Sequence, residues 1–126
     1  KFMPKVDATP QMQELKLPYQ VVMISTGDMG IPDHRQIDIE TWMPGQDAYR
    51  ETHTTDLMTS YQSRRLNTKY KNTEGKSEYV HMIDGTLSAI GRCLIAIMEN
   101  YQNEDGTIRI PEVLIPYMNG KTVIEK

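Results

Sequence analysis

From Gln36 to Met43 the chain alternates, with Ile37, Ile39, Thr41 and Met43 on one side of an extended segment and Asp38, Glu40 and Trp42 on the other. A repeat of two marks a half-buried strand, and Pro44-Gly45 closes it. Ala48 to Thr55 is a second, threonine-rich extended stretch that can fold back across the Pro-Gly-Gln-Asp turn, which predicts a β-hairpin. Upstream, Gln20 to Thr26 is β-rich and stops at Gly27-Asp28-Met29-Gly30, so a strand followed by a tight loop is expected. Thr59 to Leu66 contains no Gly or Pro and predicts a short helix capped by Thr59. Asn67 to Lys71 and Glu78 to Met82 flank a polar turn and predict another hairpin.

After Thr86 the period changes. Leu87, Ile90, Leu94, Ile97 and Tyr101 recur at steps of three and four, and Ala89, Cys93 and Ala96 broaden the stripe. This predicts a long helix over Leu87 to Tyr101, packed against the sheet. Gly91 inside it costs about 1 kcal/mol relative to alanine, which the close approach of another backbone would explain. Asp105-Gly106 marks a turn, Thr107 to Ile110 an edge strand, and Pro111 the start of a last helical turn. Residues 1–16, with two prolines and three lysines, read as a tether or short helix, 17–119 as one domain and 120–126 as a tail. The expected class is α+β: a mainly antiparallel β-sheet with a long helix packed on one face.

Composition narrows what such a domain can do. Fourteen lysines and arginines against seventeen acidic residues give a net charge of -3, so there is no global attraction to phosphate backbones and any nucleic-acid contact must be local. The single cysteine, Cys93, cannot form an internal disulfide, and the three scattered histidines supply no metal-ligand set. No apolar run approaches the roughly 20 residues that span a bilayer, so no membrane partner and a cytoplasmic location are expected.

Three blocks, in one order, carry a family resemblance. They are LPYQVVMISTGDMG from Leu17, DIETWMPGQDAYRE from Asp38 and on to YQSRR ending at Arg65, and EYVHMIDGTLSAIGRCLIAIMENYQ from Glu78, continued by EDGTIRIPEVLIPYM. Together they resemble the C-terminal part of the catalytic domain of class II seryl-tRNA synthetases, including the motif 3 helix. The resemblance implies ATP and magnesium binding for the adenylation of serine and its transfer to tRNA.

It also implies roles for particular residues. Glu51 and Thr54, the latter where a serine is usual, match positions that help hold ATP and its magnesium. A carboxylate and a hydroxyl suit a hard cation that bridges substrate phosphates. Residues three apart on a regular strand face opposite ways, so joint binding requires a bulge or strand end near Thr52-His53. Arg92 matches the motif 3 arginine that grips the triphosphate and lies beside adenine, tasks suited to a planar, permanently charged guanidinium. Asp84, replacing the family's asparagine, and Thr86 match residues that line the serine pocket.

Each has a plainer reading. Glu51 and Thr54 can be solvated strand residues, Arg92 a surface arginine with its stem over apolar neighbours, and Asp84 and Thr86 helix caps. Arg64 and Arg65 match the helix that supports the active-site strands, or form structural ion pairs. His34, His53 and His81 form no triad that spacing reveals, and Cys93 reads as packing.

The family's tRNA-binding arm, motif 1, motif 2 and Thr-x-Glu serine site are not recognisable in these 126 residues. Met23, Leu57 and Ser60 replace residues that are polar in the family. The expected partners are therefore a second copy, in a homodimer or larger oligomer, or a chain supplying the missing half. Serine and ATP are possible ligands, and tRNA only with the rest of the enzyme. The alternative function is a non-catalytic, oligomerising structural fragment, excised or redesigned from that fold.

Overall fold

A computed structural model describes residues 9–125. Its main sheet has four strands, β1 (Tyr19–Met23), β2 (Arg35–Met43), β3 (Ala48–Thr59) and β6 (Met82–Thr86), in the order β1-β2-β3-β6 with every pairing antiparallel. Two smaller ribbons pair β4 (Lys69–Lys71) with β5 (Ser77–Tyr79) and β7 (Ile108–Arg109) with β8 (Val123–Ile124). The helices are α1 (Thr9–Glu14), α2 (Tyr61–Leu66) and α3 (Ile90–Tyr101). The α+β expectation and the long helix on one face are both realised.

The core lies between the sheet and α3. Ile39 and Met43, from the apolar side of the alternating strand, pack with Met12, Leu15, Leu17 and Ala96, and Tyr19, Ile97, Tyr101, Val113 and Leu114 close around them. Polar bonds fix the helix along this seam. Asn100 donates to the Trp42 carbonyl at 2.9 Å and the Tyr101 hydroxyl to that of Leu15 at 2.8 Å.

The segment expected as a tether or short helix supplies α1, whose Met12 is fully buried; residues 1–8 of that expectation lie outside the described residues. The last strand, β8, falls in the expected tail. Position 126 also lies outside the described residues.

Several local expectations shift. The long helix begins at Ile90, three residues later than its apolar period suggested, and only Cys93 and Ala96 on it are buried. Leu87, Ile90 and Leu94, assigned to the inward stripe, are more than half exposed. The small side chains let the helix lie close to the sheet, and the apolar positions outnumber those one such contact can cover. A Cβ on Gly91 would meet nothing within 4 Å, so no close backbone accounts for it.

The short helix starts at Tyr61. Thr59 ends β3 in the left-handed region (φ 47), and Ser60 at the N-cap makes no capping bond through its side chain. The strand predicted over Thr107 to Ile110 pairs with β8 instead of lying along the main sheet. The residues after Pro111 form a 3-10 helix over Glu112–Met118.

Candidate active site

The local geometry turns on one residue. Ile39 pairs with His53 and Glu40 with Glu51, leaving Thr52 as an extra residue in β3. The bulge restores in-phase direction to residues three apart, so Glu51 and Thr54 share the sheet face that carries Glu40 and Asp38. Thr52 itself is fully buried. Its hydroxyl contacts that of Thr41 at 2.8 Å and Nδ1 of His53 at 2.9 Å, and donates to the Ile39 carbonyl at 3.2 Å.

The bulge also reaches the helix. The Thr52 carbonyl accepts the Ala89 amide at 3.2 Å, and the Ala89 carbonyl accepts Cys93 N–H at 2.9 Å to open the first turn of α3. Arg92 is thereby set above β3, where its Nη1 donates to the Glu51 carbonyl at 3.0 Å and lies 3.2 Å from the Glu51 carboxylate. Glu51 and Arg92 line a cleft of about 500 Å³ together with Asp38, Glu40, Tyr49 and Arg50. Tyr49 and Arg50 did not stand out in the sequence; their one signal there is a place within two residues of Glu51.

The remaining predicted residues occupy the same face farther along. Thr54 is opposite Thr86, and Asp56 opposite Asp84. Thr54 donates to Asp56 at 3.1 Å, and Asp84 accepts from Gln62 at 3.2 Å and from Gly85 N–H at 2.8 Å. None of Thr54, Asp84 and Thr86 is among the residues lining the 500 Å³ cleft. Burial pushes the Asp56 carboxyl above its ordinary value; the Thr54 bond opposes this, and Asp33, Asp38 and Asp84 reinforce it.

The capping reading of Asp84 and Thr86 does not hold. Both lie in β6, the N-cap of α3 is Ala89, and no side chain caps that helix. Arg64 and Arg65 make no ion pair among the described residues; they donate to Ser60 Oγ and the Tyr61 carbonyl, both at 2.9 Å. Ser88 precedes the helix, and Glu99 on it accepts Gly45 N–H at 2.8 Å.

His53 is 2% exposed and its Nε2 has no partner among the described residues. Burial lowers its pKa from the ordinary 6.5. The unfolded chain therefore takes up this proton at higher pH than the folded one, and the stability present above 6.5 is lost as pH falls through and below that value. Urea midpoints should drop between about pH 7.5 and about pH 5.5, and the drop should shrink in His53→Asn. Asp56 acts in the opposite sense, its raised carboxyl pKa favouring the folded state as pH falls toward the ordinary 3.8.

A helix thus delivers an arginine to a bulged antiparallel sheet. The sequence model of the tRNA synthetase class II core domain (G, H, P, S and T) matches residues 7–101, and the chain belongs to that family. Within the family it is homologous to the catalytic region of serine–tRNA ligases. It is 52% identical to the serine–tRNA ligase of Zymomonas mobilis over 115 residues, 90% of this chain and 27% of the relative.

Its fold matches the crystal structure of seryl-tRNA synthetase from Pyrococcus horikoshii complexed with ATP, with a TM-score of 0.86 and 46% identity over 93% of this chain and 26% of that one. The cytoplasmic serine–tRNA ligase of Naegleria fowleri in complex with AMP matches with a TM-score of 0.83 and 39% identity, over 94% of this chain and 28% of that one. The chain spans about a quarter of the length of these relatives. No helix among the described residues is long and apolar enough to cross a membrane.

Proposed function

We propose that this chain forms the nucleotide-gripping part of a serine–tRNA ligase catalytic domain, binding ATP for seryl-adenylate formation ahead of transfer to tRNA. The observation that carries this reading is the Thr52 bulge, which turns Glu51 and Thr54 to one face and ties the start of α3 so that Arg92 meets Glu51 at 3.2 Å. The nucleotide complexes of the two structural relatives support it.

Arg92 offers a planar donor fork to phosphate oxygens and a flat face to adenine. Among the described residues no group of three or more His, Cys, Asp or Glu could hold a metal by itself. That fits magnesium, which keeps waters and binds through one or two carboxylates plus substrate phosphates. Glu51 would hold it, with Thr54 beside it, and the ion would neutralise phosphate charge. Asp84 and Thr86 are assigned to serine. The carboxylates of Asp84 and Asp56 oppose each other across the strands and would be relieved by an ammonium group. The working place is the cytoplasm.

Calorimetric titration with ATP and magnesium, then serine-dependent pyrophosphate exchange, tests the reading on wild type and Arg92→Ala. Exchange lost in the variant supports it, binding without exchange leaves a partial site, and neither defeats it.

A second reading, a non-catalytic oligomerising fragment, draws on the exposed apolar side of α3, where Ile90, Leu94, Ile95 and Met98 are each at least 46% accessible. So large an apolar stripe favours a partner, either a second copy or a chain carrying the rest of the catalytic domain. Sedimentation velocity should show mass rising with concentration; a monomer throughout would remove the self-association.

A further inference from the structure

The cationic charge of this chain is not spread evenly. Five of its fourteen lysines and arginines lie between Tyr61 and His81 with only two acidic residues, a local net charge of +3 in a chain of -3. This stretch comprises α2 and the β4–β5 ribbon. All six residues of the two strands are exposed, so the ribbon stands free of the main sheet.

Pairing sorts its charges. Lys69 is opposite Tyr79 and Lys71 opposite Ser77, which puts both lysines on one face, about 7 Å apart along the strand. Tyr70 is opposite Glu78 on the other face. Both acidic side chains are engaged away from the two lysines. Glu78 accepts from Tyr70 at 2.9 Å and from Asn72 at 2.7 Å, and Glu74 holds Lys76 at 2.8 Å. Lys69 lies over the Tyr79 ring at 4.7 Å, and neither it nor Lys71 has a carboxylate partner among the described residues. Arg64 and Arg65, at the end of α2 just before the ribbon, are likewise exposed and without one.

We propose that the Lys69–Lys71 face of this ribbon, continued by Arg64 and Arg65, is a docking surface for the sugar-phosphate backbone of RNA, with tRNA as its occupant. Uncompensated ammonium groups release counterions from a polyanion. Tyr79, which shares the lysine face and is 37% exposed, presents a ring on which an unpaired base stacks. From Lys69 to Tyr79 there is no Leu, Ile, Val, Met, Phe or Trp to enter acyl chains, which favours RNA over a lipid surface. The ribbon pairs apart from the main sheet, whose cleft is lined by Asp38, Glu40 and Glu51. The choice of tRNA among RNAs rests on the function proposed above; the cationic face does not.

The test is fluorescence anisotropy of labelled bulk tRNA against the whole chain over a series of salt concentrations. Lys69→Gln/Lys71→Gln should bind about tenfold more weakly at low salt, with a log–log salt slope smaller by about 2. Lys16→Gln/Lys121→Gln makes the same change of charge elsewhere and should bind within about twofold of wild type. Circular dichroism should show both variants folded.

No binding by the wild type, unchanged binding by the ribbon variant, or equal loss in the two variants would overturn the proposal. So would stronger association with phosphatidylserine-containing vesicles than with tRNA. Arg92→Ala should lose ATP affinity while keeping tRNA affinity, and the ribbon variant the converse. Absent ATP binding with intact, ribbon-dependent tRNA binding would therefore defeat only the earlier reading.

Discussion

Arg92→Ala should raise the Kd for ATP with magnesium about thirtyfold, the equivalent of about 2 kcal/mol for hydrogen bonds to a charged phosphate. The fold should survive. Arg92 is half exposed and its ion pair with Glu51 is a surface one, worth under about 1 kcal/mol. Calorimetry on wild type and variant measures the effect directly, and thermal unfolding separates it from destabilisation. Arg92→Lys keeps the charge and discards the planar fork, so it should fall between the two. An unchanged Kd in the alanine variant would dismiss the guanidinium as a nucleotide ligand.

The largest loss of stability is expected at the other end of the chain. Met12 is fully buried against Leu15, Leu17, Ile39, Met43 and Ala96, and Met12→Ala leaves a cavity under the sheet costing about 2–5 kcal/mol. For a domain this small that is a large share of the roughly 5–15 kcal/mol total. A urea midpoint within error of wild type would show that α1 adds nothing to the core. If the loss appears, truncations that remove residues 9–16 will unfold the sheet.

The alternation in β2 was legible in the sequence because one face of that strand meets the core and the other does not, and the period of two survives in Ile39, Thr41 and Met43. The family blocks carried the fold and singled out Glu51 and Arg92 as candidates. Helix α3 was harder to read. Apolar side chains cover more than half its circumference, so periodicity cannot say which arc turns inward, and Cys93 and Ala96 took the contact instead of Leu87, Ile90 and Leu94. The residues around Thr59 misled for a different reason. The helix there is entered through a left-handed residue, while threonine signalled the ordinary extended cap.

In the candidate site, the need for a bulge near Thr52 could be argued from the spacing of Glu51 and Thr54. The bond from the Thr52 carbonyl to the Ala89 amide could not, since it joins residues 37 positions apart. Tyr49 and Arg50 were illegible because nothing local distinguishes a cleft residue from any exposed strand residue.

The extra residue at Thr52 makes the parity of β3 a heritable property of the chain. Deleting it would keep the strand but put its two halves out of phase, exchanging inward and outward positions on one side of residue 52. Lengths on this strand are therefore constrained more tightly than identities: a second deletion or insertion nearby could restore the phase, whereas no substitution could. Among natural variants of this region, single-residue gaps between Ala48 and Thr59 should be far rarer than exchanges at the same positions.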